Sequence, residues 1–454
     1  MCGLSPIRHN CMPRREPSPM PQAQGWGKIR VSPERAHRWS APPPAAGYCG
    51  AMITAARYAG RIAALDIARG LAILGMFVAH VGPDRGGLPG WLMAVADGRS
   101  SILFATLAGV SLAILTGRNV PFGGVDLLQA KIRIFTRAAM LLAISGLLAM
   151  MNDIVALILA AYAVWFVLAI PFLRWSPKRL FLAAGASWLI GPLITTYLVF
   201  LLDRLGMTSM ADSSGLLVEA LLTGSYPGLI YMGFVLAGLG IGRLDLSDRT
   251  VAATLAPVGA SLALIGYGSA FLLTRLGAGP PADDYGYEYT DVGDQGWRTD
   301  GMGPEWDPYV EVPDVGHLFG AEPHTGTVFE AVGSGGFAIA VIGLLLLGGP
   351  ILGRILYPIA AVGSMPLSAY SFHIIAIWLI PAMVFPDSYT PLLWLTLVTL
   401  VVCSLWLRLI GRGPLERLLH WTSMRAASIS PPEQPAPRHR TPQPSPPTSE
   451  SPHP

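Results

Sequence analysis

Charged residues are scarce in this chain of 454 amino acids, where they make up only 13% of the sequence. Cysteine is scarcer still, and Cys2, Cys11, Cys49 and Cys403 have no metal-binding or redox spacing, so we predict no disulfide framework and no metal site. Nucleotide-binding glycine loops and nucleophile elbows are missing too, which disfavours a primary pump or a soluble-type hydrolase. The chain instead has 52% hydrophobic residues and a mean hydropathy of +0.49. This composition places most of it in lipid.

Apolar segments long enough to cross a bilayer recur through the middle of the chain. A hydrocarbon core of about 30 Å needs about 20 apolar residues per helix. Ten segments meet this requirement, at residues 62–81, 99–116, 134–151, 154–173, 179–201, 224–242, 251–274, 328–348, 355–383 and 391–411. Pro358, Pro366 and Pro381 in the ninth segment predict a kinked or broken helix. The predicted fold class is therefore an all-α integral membrane protein, a bundle of about ten transmembrane helices.

The uneven distribution of basic residues predicts the orientation of this bundle. Threading the ten segments alternately places most arginines and lysines, from Arg118 to Arg417, on the side of the two termini. The opposite loops hold only Arg85, Arg99, Arg204, Arg275 and Arg298. Because basic residues are retained on the cytoplasmic side, we predict that both termini are cytoplasmic.

The two ends of the chain differ from the apolar middle. Residues 1–60 are rich in Pro and Arg without an apolar run, which predicts a disordered cytoplasmic tail, and Met52 is a candidate natural start that would make residues 1–51 an over-long gene start. Residues 61–425 are predicted to form the transmembrane domain. Residues 426–454, rich in Pro and Ser, predict a second disordered cytoplasmic tail.

The segment 276–327 is strongly acidic and is predicted to lie outside the cell. Its Asp and Glu residues run from Asp283 to Glu322, whereas Arg298 is its one Arg or Lys. The tyrosines and tryptophans interleaved with them suit either stacking on sugar rings or contact with lipid headgroups. The acids have no calcium-loop spacing, so we predict no metal there.

The first span carries polar residues at both ends. Asp66 and Arg69 share a helix face and can neutralise one another, either to grip an anionic ligand or to lock helices together. His80 lies fourteen residues after Asp66, about 21 Å further along a helix, near the outer face. Because imidazole titrates near neutral pH, His80 is the best candidate for a general base or an acyl carrier, with a satisfied hydrogen bond as the alternative.

Further histidines fall in the second half of the chain. His373, with Ser368 and Tyr370 just before it, either lines a cavity or bonds between helices. His317 and His324 belong to the acidic segment, where they are either functional or merely solvated.

Four stretches of the sequence resemble known membrane proteins. Leu65-Asp66-Ile-Ala-Arg69-Gly70-Leu-Ala-Ile-Leu-Gly75-Met resembles the opening signature of the heparan-alpha-glucosaminide N-acetyltransferase-like family. Three later stretches resemble the related bacterial YeiB-like family: Gly224-Ser-Tyr226-Pro227 with Gly238-Leu-Gly240-Ile-Gly242-Arg243, Pro323-His324-Thr-Gly-Thr with Gly333-Ser334, and Gly363-Ser-Met-Pro-Leu-Ser-Ala-Tyr370 with Gly413-Pro414-Leu415-Glu416. Together they cover nearly the whole of residues 61–420.

The resemblance implies a transmembrane acyltransferase. Such an enzyme takes an acetyl or other acyl group from cytoplasmic acyl-CoA (acetyl-CoA) and delivers it to an extracytoplasmic acceptor, a sugar or cell-envelope glycan. His80 is then predicted to be catalytic, and Asp66 and Arg69 to lie near the acyl-CoA. Predicted substrate-binding residues are Tyr370, His373 and His324.

Two other classes of function remain open on the sequence. A transporter or flippase of a small molecule or lipid-linked substrate would also use intramembrane charges and a proline-broken helix, but the two halves of the chain show no convincing internal similarity. A non-catalytic membrane scaffold is the third. The predicted location is the cell membrane, with the bilayer, acyl-CoA and the acceptor as partners, a homodimer as a candidate assembly and no nucleic acid.

Overall fold

A computed structural model describes residues 62–83, 90, 93–151, 155–204, 221–222, 225–278, 315–384 and 386–428. Within these ranges the chain is helical and forms no strand. The helices are α1 (Ala63–Val81), α2 (Arg99–Leu115), α3 (Gly124–Ala149), α4 (Ile158–Leu168), α5 (Pro177–Arg204), α6 (Gly228–Gly242), α7 (Arg249–Arg275), α8 (Val328–Ile355), α9 (Tyr357–Ser364), α10 (Pro366–Leu379), α11 (Thr390–Leu409) and α12 (Pro414–Ala426). The first predicted tail and most of the acidic segment lie outside the described residues. Of the second predicted tail, the structure describes only residues 426–428.

Several of these helices are suited to a membrane. Six of those in the described ranges, α1, α3, α5, α7, α8 and α11, are long and apolar enough to cross it, and the bent pair α9 and α10 makes a seventh candidate. The remaining apolar helices, α2, α4 and α6, are shorter. The chain is therefore a multi-pass membrane protein. Each of the ten predicted segments contains one of these helical units, although only seven units reach the length of a span.

Two helices extend beyond the apolar segments that predicted them. α3 begins at Gly124 rather than at 134, because its first turns carry Asp126 and Lys131 and do not register as a membrane segment. α8 continues to Ile355 but is broken at Gly349, which has a φ of 55° directly before Pro350.

α12 follows the last predicted span as a separate helix of mixed polarity. Hydropathy locates the lipid-embedded part of a helix and not its polar ends.

The predicted break in the ninth segment is confirmed. α9 and α10 are bent by 88° at Met365, directly before Pro366. A residue before proline is disfavoured in the helical conformation, and proline itself lacks the N–H that would continue the helix. Pro381 begins a short 3-10 turn, Pro381–Met383, after α10. The bend lets one apolar segment pack against α1 in two directions.

Glycines allow the closest helix crossings in the bundle. A Cβ at Gly238 on α6 would overlap the carbonyl oxygen of Thr106 on α2, and one at Gly363 on α9 would overlap the carbonyl oxygen of Asp66 on α1. Close backbone packing of this kind accounts for the small residues of α6. It also gives Gly363, from one of the resemblance motifs, a packing role.

Arg243 fastens several helix ends together at the N-terminal end of α1. The side chain is buried, donates to Oγ1 of Thr116 at 2.8 Å, and also donates to the carbonyl oxygen of Leu173. A cation suits these helix C-termini, where unpaired carbonyl groups carry partial negative charge. Burial lowers the pKa of Arg243 to about 10, so the guanidinium stays charged at neutral pH.

Candidate functional site

α1 carries a partly buried ion pair near its N-terminal end. Nη1 of Arg69 lies 2.9 Å from Oδ1 of Asp66, and Nη2 donates to Oγ of Ser111 on α2 at 3.0 Å. The predicted pair is therefore formed and also ties α1 to α2. Beyond it, α1 is apolar where it faces the bundle, with Ile73 and Phe77 fully buried. The polar chemistry of α1 is confined to its two ends.

At the other end of α1, two histidines meet. Nδ1 of His80 lies 3.0 Å from Nε2 of His373 on α10, although the two residues are 293 positions apart in the sequence. Their rings are nearly parallel, with an angle of 10° and centroids 5.3 Å apart. The contact uses Nδ1 of His80 and leaves its Nε2 outside the pair.

His373 is fully buried and makes a second contact through its other ring nitrogen. Its Nδ1 lies 2.5 Å from the carbonyl oxygen of Tyr370, one turn earlier on α10. The rings of Phe77 and Tyr370 pack against it, with centroids 4.9 and 4.8 Å away. Both ring nitrogens of His373 therefore have partners within the protein, and its role in substrate binding stays a prediction.

A small polar cavity lies beside this histidine pair. Its polar lining consists of His80, Ser100, Ser101, Tyr226, His324 and Tyr370. Its volume of about 30 Å³ holds about one water molecule. A larger acceptor group reaches His80 only after neighbouring side chains have moved.

A buried carboxylate holds His324 at this cavity. The backbone N–H groups of His324 and Gly326 each donate to Glu330 at 2.7 Å, and the His324 ring lies 5.9 Å from that of Tyr226. The Glu330 N–H donates to Oγ1 of Thr327, the N-cap residue of α8, while the Glu330 carboxylate binds the N–H groups of the residues before the cap. This Thr-x-x-Glu spacing is visible in the sequence, and sequence reasoning missed it.

Tyr370 and Ser368 leave α10 in different directions. Tyr370 reaches the cavity, and its hydroxyl accepts from the N–H of Ile158 at 3.3 Å. For Ser368 the structure supports the alternative of bonding between helices, because its N–H and Oγ–H both donate to Glu416 on α12, at 3.0 and 2.5 Å. The break before Pro366 leaves the first N–H groups of α10 unpaired within the helix, and a carboxylate satisfies one of them.

This contact joins two motifs that are far apart in the sequence. Gly413 approaches Met365 and Ser368 so closely that a Cβ there would overlap the Met365 side chain. The first turn of α12 is thereby locked onto the bend, with Glu416 largely surrounded by protein. Burial raises the pKa of Glu416, although the hydrogen bonds from Ser368 oppose the shift.

A larger cavity lies at the N-terminal end of α1. Its volume is about 390 Å³, and it is bounded by the start of α1, the end of α2 and the break in α8 at Gly349. Its polar lining consists of Arg118, Asn119, Asp245 and Ser247. Ser247 donates to Asp245 and lowers the pKa of that carboxyl group. Asp66 and Arg69 are not part of the lining, but they lie on α1 within about two turns of Ala63 and Ala64, which are.

A larger groove on the described surface adjoins the cavity at the start of α1, and Leu244 lines both. It measures about 650 Å³ between α5, α6, α7 and α8, and residues such as Trp188, Leu262 and Phe329 give it an almost wholly apolar lining. None of the candidate site residues lines it. We therefore place the chemistry at the ends of α1 instead.

Comparison with known proteins gave one finding. A family model described as heparan-alpha-glucosaminide N-acetyltransferase, catalytic, matches residues 61–273. Neither the curated proteins nor the solved structures gave a match. The matched region contains His80 and the ion pair of α1, whereas His324, Tyr370 and His373 lie beyond it.

Proposed function

Residues 61–273 are heparan-alpha-glucosaminide N-acetyltransferase-like, which confirms the resemblance predicted from the first span, and on this premise we propose that the protein is a transmembrane acyltransferase. The observation that carries the proposal is the contact between His80 and His373, which leaves one ring nitrogen of His80 for chemistry beside a polar cavity. The donor is acyl-CoA, with acetyl-CoA as the first choice, and the acceptor is an extracytoplasmic sugar or envelope glycan. The location we propose is the cell membrane.

Acyl-CoA enters, in this proposal, at the cavity near the start of α1. That cavity is wide enough for part of an extended cofactor, and the exposed Arg118 provides a cation for its phosphates. Asp66 and Arg69 lie deeper, where the pair holds α1 against α2. We retain them as residues that shape the donor path.

The transfer step requires a base at the acceptor end, and His80 is placed for it. Nε2 of His80 takes a proton from the acceptor hydroxyl or amine, whose oxygen or nitrogen attacks the thioester carbonyl carbon. The carbon–sulfur bond then breaks, and the coenzyme A thiolate leaves and takes the proton back from His80. In a second route Nε2 itself attacks the thioester carbonyl carbon, and the carbon–sulfur bond breaks with coenzyme A leaving as the thiolate. The acceptor then attacks the acyl carbon, the bond to Nε2 breaks, and the acceptor's proton passes to the thiolate or to the released imidazole.

Topologically, we propose ten crossings with both termini inside. The count requires α2, α4 and α6 to serve as spans, although they have only 17, 11 and 15 residues and extend from about 16 Å for α4 to about 25 Å for α2. Burial of these short helices inside the bundle supports the count, because neighbouring helices shield their ends from lipid. Arg118 and Arg243 lie at the same end as the start of α1, which agrees with a cytoplasmic face there.

Cysteine labelling tests this orientation. Val120 and Leu276 are similarly exposed, at 77% and 73%, and lie at opposite ends of the bundle. In a background with the four native cysteines replaced by serine, we expect a membrane-impermeant maleimide to label Leu276→Cys in intact cells and Val120→Cys only after lysis. The reverse pattern would show that His80 faces the cytoplasm.

Ligand stabilisation separates the enzyme from a transporter. We expect coenzyme A to raise the unfolding temperature of the purified protein saturably, because a ligand that binds only the folded state stabilises it. The Arg118→Gln variant is expected to need a higher coenzyme A concentration for the same shift. Stabilisation by a free sugar or lipid with none by coenzyme A would contradict acyl transfer and favour transport.

A further inference from the structure

We propose that His373 is a positioning residue for His80, which it holds in the tautomer that has its hydrogen on Nδ1 and its lone pair on Nε2. The inference concerns a residue outside the matched region and rests on the proposed function of His80. It starts from the continuous contact that runs from the Tyr370 carbonyl through His373 to His80.

The Tyr370 carbonyl determines the first hydrogen position. A carbonyl oxygen only accepts hydrogen bonds, so Nδ1 of His373, 2.5 Å away, must carry a hydrogen. His373 is fully buried between the rings of Phe77 and Tyr370. Among the described residues no carboxylate forms an ion pair with His373, and an isolated buried charge is costly. His373 is therefore neutral, and its Nε2 carries a lone pair.

That lone pair determines the second hydrogen position. Nε2 of His373 can only accept, so Nδ1 of His80, 3.0 Å away, must donate. In neutral His80 the lone pair then resides on Nε2, the nitrogen that the pair leaves outside. The opposite tautomer of His80 would place the lone pair of its Nδ1 against the lone pair of His373. It would also carry a hydrogen on Nε2, which would remove the base.

The same contact fixes the orientation of the ring as well as its tautomer. His80 is partly buried in the last turn of α1, and rotation about its Cβ–Cγ bond would turn Nδ1 away from His373. His373, anchored in α10, restricts that rotation through one hydrogen bond and a nearly parallel ring. A hydrogen-bond acceptor such as His373 at Nδ1 raises the basicity of Nε2 of His80 and keeps Nε2 in a fixed direction.

Two substitutions at His373 test the role. His373→Leu fills a similar space but cannot accept a hydrogen bond, and we expect it to lower kcat for acyl transfer by about 10- to 100-fold with KM nearly unchanged. His373→Gln offers an amide oxygen to Nδ1 of His80, and we expect it to retain most of the activity. Thermal unfolding of both variants shows whether the fold is kept. Wild-type kcat in His373→Leu, or equal losses in two folded variants, would overturn the proposal.

A measurement without turnover separates this inference from the proposed function. In protein labelled with ¹⁵N-histidine and held in lipid nanodiscs, the ¹⁵N shifts of His80 and His373 report their tautomers, with single His→Gln variants giving the assignments. We expect hydrogen on Nδ1 of both rings, and a loss of this preference at His80 in His373→Leu. Hydrogen on Nε2 of wild-type His80 would overturn the positioning role even if the protein transfers acyl groups. Full activity of a His80→Ala variant would instead overturn the proposed function and leave the tautomer result standing.

Discussion

Replacing His80 by alanine is expected to lower kcat/KM for acyl transfer by about 100- to 10,000-fold, the range of a lost general base. The reason is that Nε2 of His80 is the one imidazole nitrogen of the pair that remains for the acceptor. The measurement is acyl-CoA-dependent modification of the acceptor, or release of free coenzyme A thiol, by purified protein in lipid.

His420→Ala is the matched control for this substitution. His420 lies on α12, at the opposite end of the bundle from the histidine pair, and lines neither polar cavity. Its removal is expected to leave the rate within about twofold. Unchanged transfer by a folded His80→Ala protein would remove His80 from the mechanism.

The same variant distinguishes the two routes open to His80. If the acyl group is first attached to Nε2, wild-type protein mixed with acyl-CoA and no acceptor releases about one equivalent of thiol and gains the acyl mass on the peptide that contains His80. If His80 acts only as a base, thiol is released only after acceptor is added. Both signals are expected to disappear in His80→Ala.

Gly363→Val is expected to prevent correct assembly of the bundle. Its Cβ would overlap the carbonyl oxygen of Asp66, a backbone atom that can retreat only if α1 and α9 separate. Overpacking of this kind costs about 1–3 kcal/mol or more, and here the separation would also displace the bend that carries His373. We expect a large fall in the yield of monodisperse protein and in the unfolding temperature of what remains.

Gly146→Val provides the comparison within the same chain. Gly146 also lies inside a helix, α3, but a Cβ there meets nothing within 4 Å. Because both substitutions change glycine to valine in a helix, the difference between them measures the crossing alone. Equal stability of the two variants would show that α1 and α9 do not approach as closely as described.

The sequence indicated more of the helices than of their ends. The hydropathy of each apolar segment is local, so all ten predicted segments contain helical units, and the three prolines in 355–383 correctly predicted a break. The same criterion placed the start of α3 at 134 and did not identify α12, because polar turns outside the hydrocarbon core carry no hydropathy signal.

Local spacing also predicted the first polar pair. Asp66 and Arg69 are three residues apart, and helix geometry alone brings such residues together, as the 2.9 Å contact shows. The partner of Arg69 on α2, Ser111, could not be inferred, because it depends on how two helices pack. The roles of both residues toward acyl-CoA remain predictions.

The sequence by itself determined the class of the protein, a helical membrane protein with polar groups at both ends of its first span. It could do so because composition and hydropathy are properties of each segment alone. Only the tertiary structure decided which of those groups meet. His80 and His373 are separated by 293 positions, and Ser368 and Glu416 by 48, so their contacts depend on the crossing of α1 and α9 and on the bend at Met365. Packing between helices, unlike hydropathy, is a property of pairs of surfaces, and no single segment contains it.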